Sequence, residues 1–407
     1  MKQLKITAMV CILAICLEGC RAHWGSGVSF TVERINSDSN FLANITDYYY
    51  YFNGNIYHYS LENNEEDTKK FLSEGEHMKD FAACNDTIYY VVKQMVGRDT
   101  EWAVKRLEYK SGRVKTFLPW DRLFLLYNGG EDQEISLVRV EIYEDNLLIE
   151  INNRYSTQVY ICPTDDSMNP ELTDVNDLFP EENGLEVVEK ILYKGIVIER
   201  QYDEERGKYT IIGVRDEESG RRIFSDYYEA CLKVDGEDVY IWKEDSEFWY
   251  CEEGSSMKHN ISCLSGNEYE NTLIFERKLT VENGEIIGLI HTVRDYRSQP
   301  DYPNQGDLRY DVLFRLNPKT GENSILYKPE NNRTRIIGYQ DSIIYLMEKY
   351  KIYSQSVEEG EERILLYELP EHTDYRFDWQ GGHLLIFYDD FERYELVTDL
   401  QIKQDGN

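Results

Sequence analysis

Apolar positions in this chain come in short bursts, not in the long 3.6-residue stripes of amphipathic helices. A run rich in Ile, Val, Tyr, Phe and Trp is followed by a polar break and then by a second such run. The first unit is ITDYYYYF-NGN-IYHYSL. NDTIYYVVK at Asn85, EDNLLIEI at Glu144, YKGIVIERQY at Tyr193 and DGEDVYIWK at Asp235 come next. ENGEIIGLIHTV at Glu282, QDSIIYLMEKYKIYSQS at Gln340 and QGGHLLIFYDDFERYELV at Gln380 complete the series. Each unit reads as a β-hairpin. Asn53-Gly54 is the strongest signal, because a two-residue type I′ turn needs positive φ at both central positions.

The markers Asp47, Asp86, Asp145, Lys194, Gly236, Asn283, Asp341 and Gly381 recur every 39 to 59 residues. A third strand-like run usually follows the hairpin, as at Val114–Leu118, Ile325–Tyr327 and Ile364–Tyr367. A further run often precedes the next marker, as at Asp80–Ala83, Glu229–Val234 and Arg335–Gly338. Four short antiparallel strands per repeat make one blade of a β-propeller. The expectation is an all-β chain whose residues 28–407 form one propeller of seven or eight four-stranded blades. Its closure would pair Val28–Ile35 with the last hairpin near Glu392–Val397, hiding both sheet edges. The competing architecture, two β-sandwiches, would need a Pro/Gly linker, and nothing in the chain resembles one.

Composition fits strands. The chain of 407 residues has 33 tyrosines and only nine prolines. Blades pack face to face, so inner strands are covered on both sides and read as aromatic or aliphatic runs. The tyrosines Tyr48 to Tyr51 are therefore read as inter-blade packing. Net charge is −32. Such a surface repels phosphate backbones, which excludes a nucleic-acid binder, and keeps the chain soluble and monomeric.

The start is different in kind. Lys2 and Lys5 precede an apolar run from Ile6 to Leu17, too short to span a bilayer permanently, and Gly19-Cys20 follows. Leu17-Glu18-Gly19-Cys20 resembles the signal of bacterial exported lipoproteins. That resemblance implies removal of residues 1–19 as a signal peptide, acylation of Cys20 and a lipidated tether over 20–27. It places the protein at the cell membrane, lipid-anchored and facing the extracytoplasmic side. Cys84, Cys162, Cys231, Cys251 and Cys263 remain in the mature chain, with no CxxC among them. Cys251 and Cys263 are the pair an exported chain would join, but buried free thiols are the favoured state.

The segment from Leu313 to Glu322, LFRLNPKTGE, resembles the turn between outer blade strands of bacterial exported propellers of the TolB-like and quinoprotein-like groups. Pro sets φ for the turn and Gly accepts positive φ at its end. Cofactor motifs of the quinoprotein enzymes are absent, so no cofactor is expected and that chemistry is not carried over. No P-loop, GxGxxG after a strand, HExxH, EF-hand loop or GxSxG is present, and the seven histidines form no pair at ligand spacing. No metal and no catalytic residue is assigned.

Two insertions stand out. Residues 163–186 are acidic and contain three prolines, and they read as a solvated loop. Residues 294–308, RDYRSQPDYPNQGDL, link two strands of one blade through a Pro-stiffened loop. Its Tyr296, Arg297, Asp301 and Tyr302 are the candidate ligand-binding residues, because long loops on rigid scaffolds carry binding and this chemistry suits glycans or peptides. The function read from the sequence is a non-catalytic binding or scaffold module for a protein, peptide or glycan. The alternative is an exported propeller enzyme, a carbohydrate hydrolase or lyase.

Overall fold

The structure is a computed structural model. It describes residues 47–401 except 53–54, 61–64, 85, 98, 128–134, 154–155, 165–170, 180–187, 204–206, 225–228, 245–246, 256, 266–277, 295–307, 331–332, 358–362, 372–374, 381–382 and 390–393. The segments expected to be signal peptide and tether, with Cys20, Val28–Ile35 and the turn Asn53-Gly54, lie outside the described residues.

Eight antiparallel sheets follow one another along the chain, and each is built from strands consecutive in sequence. The hairpins anticipated from the sequence recur in the same place, between the first and second strand of seven of the sheets, with two residues between the closing pairs. In the registers, Phe52 lies opposite Asn55, Cys84 opposite Thr87, Tyr143 opposite Asn146 and Tyr193 opposite Ile196. Val234 faces Glu237, Glu282 faces Glu285 and Gln340 faces Ile343. Both central residues have positive φ at Lys194-Gly195, Asp235-Gly236, Asn283-Gly284 and Asp341-Ser342. This is the type I′ geometry whose twist matches that of the strands it joins.

Among the described residues, five sheets have four strands and three have three. In the fourth sheet (Val188–Tyr193, Ile196–Asp203, Lys208–Asp216) the place of a fourth strand is taken by one bridge between Arg215 and Arg222. The chain there turns back through Gly220, at φ +72°, where a Cβ would lie 2.8 Å from the Lys233 nitrogen. The acidic insertion is also more than a solvated loop. Thr173–Asp174 pairs with Tyr160 and Ile161 as an outer strand, and Val175 and Phe179 are buried. Apolar residues spaced among the acids anchor it. A helix, α1 (Trp120–Tyr127), was not anticipated. Its WDRLFLLY reads equally well as a strand, but the Pro119 carbonyl accepts the Leu123 N–H at 3.1 Å and Leu123 is fully buried.

The chain divides into two compact units. The first holds sheets one to three, with Gln380–His383 and Asp389–Leu396 from the last sheet. The second runs from Asn176 to Trp379 and takes Leu384–Tyr388 and Val397–Asn407. Within each unit, consecutive sheets share a core. In the first, Tyr49 and Ile56 of sheet one meet Phe81, Ile88 and Tyr90 of sheet two. The opposite face of sheet two packs Tyr89, Val91 and Trp102 on Val138, Val140 and Ile149 of sheet three. In the second unit, sheets five and six meet through Phe248, Tyr250, Ile286 and Phe314, and sheets six and seven through Ile287, Leu289, Ile336 and Ile344. Strands covered on both faces explain the unbroken apolar runs in the sequence. A ring burying roughly 200 Å² contributes on the order of 5 kcal/mol, so the aromatics dominate these cores. Serial four-stranded meanders stacked through shared cores are the repeat of a β-propeller. Of the tyrosine run, Tyr49 is buried, stacked on His58 at 4.7 Å and edge-on to Tyr109 at 5.4 Å.

Carboxylates tie neighbouring sheets together. Asp80 Oδ2 accepts the Val140 N–H at 2.8 Å, and Asp311 Oδ2 accepts that of Ile336 at 2.6 Å. A charged acceptor makes each a strong hydrogen bond, and each joins one sheet to the first strand of the next.

Candidate functional site

The sequence candidates Tyr296, Arg297, Asp301 and Tyr302 lie outside the described residues, as does Cys20. The strands flanking the loop, Glu285–Arg294 and Leu308–Leu316, pair with Arg294 opposite Leu308, so residues 295–307 connect the ends of one hairpin.

A cavity of about 410 Å³ opens on the second sheet, in the first unit. Its wall follows from strand alternation. Glu76, Gln94 and Glu101 sit opposite one another across the sheet's first three strands, Glu76–Cys84, Thr87–Val96 and Asp99–Glu108. Val92 and Ala103 form the next row, and Lys105 pairs with Thr116 of the outer strand Arg113–Leu118. These residues share one face. Trp102 is on the other face, where it packs in the core toward sheet three, so its contribution to the lining is secondary. Pro119, Trp120 and Asp121, at the entry to α1, complete the wall.

The polar groups here are held in place. Glu76 Oε1 is ion-paired with Lys105, and both side chains are largely buried. Gln94 Nε2 donates to Glu101 Oε2 at 3.3 Å. Asp121 Oδ1 accepts the Arg122 N–H at 2.9 Å. Two carboxylates on a three-strand row stand about 10 Å apart at their Cα atoms, twice the inter-strand spacing. The result is a recess with fixed acceptors, donors on Gln94, Lys105, Thr116 and Trp120, and a small apolar floor, within the size range of ligand pockets. Sequence reading missed it because its residues are spread from 76 to 121 and none belongs to a motif. Once strand pairing is known, the row Glu76–Gln94–Glu101 is the recoverable signal.

The densest charge cluster lies elsewhere, between the fourth and fifth sheets in the second unit. The Arg215 guanidinium is 1% exposed. It donates to Asp238 Oδ2 at 2.8 Å, Glu199 Oε1 at 3.1 Å and Cys231 Sγ at 2.9 Å. Lys190 reaches the same Glu199 oxygen at 2.8 Å and also pairs with Glu253. Burial opposes the charge on Arg215, but Cys231, Glu199 and Asp238 outweigh it and hold its pKa above the usual value. Tyr240 is pushed up by burial and by Glu199. Nearby, the Arg200 guanidinium is sandwiched between Phe179 (3.9 Å) and Tyr209 (4.0 Å) and bonded to Glu189. Both arginines are sealed from solvent and act as structural ion-pair partners. Among the described residues, no group of three or more His, Cys, Asp and Glu is placed to hold a metal ion. Cys162, Cys231, Cys251 and Cys263 are all free thiols, and burial raises Cys263 to about 11. No helix of the described residues is long and apolar enough to cross a membrane.

No protein-family model matches the chain, and no curated protein matches it. Solved structures do. The β-propeller domain of the trilobed protease from Pyrococcus furiosus aligns at 13% identity and TM-score 0.34, covering 77% of this chain and 92% of that one. Dipeptidyl peptidase 4 from Porphyromonas gingivalis aligns at 12% identity and TM-score 0.35, covering 74% and 48%. Oligogalacturonate lyase from Vibrio parahaemolyticus aligns at 12% identity and TM-score 0.31, covering 80% and 76%.

Proposed function

We propose that this chain is a lipid-anchored, extracytoplasmic β-propeller of seven or eight blades that acts as a binding module. Its ligand is the polar end of a glycan or peptide, and its site is the cavity on the second sheet. Acylated Cys20 and the short tether after it hold the module at the membrane, where loops including 295–307 add a second surface for a partner. The observation that carries this reading is the cavity wall itself: Glu76, Gln94, Glu101, Lys105 and Thr116 on one face, with acceptors already oriented by their neighbours. Preorganised polar groups over a small apolar floor fix a ligand's orientation at little cost in side-chain entropy.

One observation favours a second reading, a hydrolase or lyase. Glu76 and Glu101 stand on the same row, and paired carboxylates across a sugar are what glycoside hydrolysis uses. In the present geometry both are engaged, Glu76 by Lys105 and Glu101 by Gln94, so binding is the primary reading.

Titration of the protein with a panel of oligosaccharides and short peptides, followed by tryptophan fluorescence, tests the proposal. Saturable binding that weakens about tenfold in Glu101→Gln and in Trp120→Ala supports it. Binding untouched by either change, or no binding at all, overturns it. Appearance of cleaved product, lost in Glu76→Gln, would install the enzymatic reading instead.

A further inference from the structure

Outermost strands leave backbone N–H and C=O groups unpaired, and proteins guard them. The guards are visible here. Arg113–Leu118, outermost in the second sheet, carries Arg113 and Lys115. The third and fifth sheets end in strands of two residues, Thr173–Asp174 and His259–Asn260. Asn323–Tyr327, at the edge of the sixth, is half-buried along its length.

The seventh sheet ends differently. Ile364–Glu368 is its edge strand. Ile364, Leu365 and Leu366 are 64, 46 and 40% exposed, and among the described residues no other three consecutive large apolar residues are this open. The strand is well held on its inner side, with Ile352 opposite Tyr367 and Tyr353 opposite Leu365. Arg363, just before it, donates to Gln355 Oε1 at 3.0 Å, Glu348 Oε2 at 3.3 Å and the Tyr327 hydroxyl at 3.1 Å. A fixed edge with an apolar surface is a template for adding a strand.

Charge decides what is added. In the sequence, Glu358, Glu359, Glu361 and Glu362 precede Arg363 and the strand, Glu368 ends the strand in an ion pair with Lys351, and Glu371 and Asp374 follow. A second copy pairing antiparallel would bring acidic flank against acidic flank, with −32 net charge on each molecule. An extended segment with basic residues at its ends would be attracted by the same flanks. We propose that Ile364–Glu368 is a docking edge for an extended segment of a partner protein, apolar at alternate positions and flanked by lysine or arginine. The edge is separate from the cavity on the second sheet, and either can fail without the other.

The probe is a dye-labelled peptide, Lys-Lys-Val-Thr-Val-Thr-Val-Thr-Lys-Lys, titrated into the full-length protein by fluorescence anisotropy. Its counterpart has glutamate at every lysine. The lysine peptide should bind saturably, and its affinity should fall severalfold between about 0.05 and about 0.3 M NaCl. The glutamate peptide should bind at least about tenfold more weakly. Amide hydrogen exchange should show new protection at 364–368. Leu365→Lys with Leu366→Lys should weaken the lysine peptide about tenfold at unchanged circular dichroism; Ile364→Lys alone is the fallback if that variant does not fold. The proposal is overturned by absent binding, by equal affinity for both peptides, or by protection elsewhere. A dimer in light scattering that the double variant dissolves also overturns it, because the occupant is then a second copy.

Discussion

Replacing Arg215 by methionine keeps most of the buried volume and removes the charge. Asp238 then loses the 2.8 Å bond to its Oδ2, while its Oδ1 already has no hydrogen-bond partner. Glu199 keeps Lys190 at 2.8 Å. The cost therefore falls on one buried carboxylate left without its cation. Breaking a buried pair in this way costs about 3–5 kcal/mol, a large share of the 5–15 kcal/mol typical of a folded domain. Urea unfolding of Arg215→Met, followed by tryptophan fluorescence at pH 7, should show that loss in the midpoint at unchanged slope. Adding Asp238→Asn removes the orphaned charge and should recover more than half of it. A loss below about 1 kcal/mol, or a double variant no better than the single, would refute the view that this cluster couples the fourth and fifth sheets electrostatically.

Three further outcomes are expected. A Cβ on Gly288 would lie 2.1 Å from Phe314 Cε1, so Gly288→Ala should cost about 1–3 kcal/mol of overpacking in urea, and Phe314→Leu in the same chain should relieve part of it. Burial raises the Tyr339 hydroxyl to about 12, reinforced by its 2.8 Å bond to Glu282, and burial with Asp341 raises Tyr345 to about 12. The folded state holds these protons more tightly than the unfolded chain, so their stabilisation is complete below about pH 10 and is lost as pH rises toward 12; tyrosinate absorbance and unfolding midpoints should move together there. Cys20→Ser should release unacylated protein into the medium, and retention of that variant in the membrane fraction would count against the anchor.

The positions of the hairpins were readable because a two-residue turn is a local event. Asp235-Gly236 and Asn283-Gly284 need only tolerance of positive φ, a property of the residues themselves. The paired apolar runs around them set strand, repeat and all-β class in the same local way. What sequence could not supply is what each strand meets. Arg215 looks like any strand arginine until Asp238, 23 positions on, and Glu199, 16 back, close around it. WDRLFLLY became α1, and Thr173–Asp174 a strand, through the buried neighbours that accept Leu123 and Val175. The cavity row Glu76–Gln94–Glu101 exists only through inter-strand register, and register is set by pairings distant in sequence. Turn chemistry is written in adjacent residues, whereas burial and charge pairing depend on how the sheets pack, and that is where the chain's candidate site and its exposed edge at Ile364–Glu368 were decided.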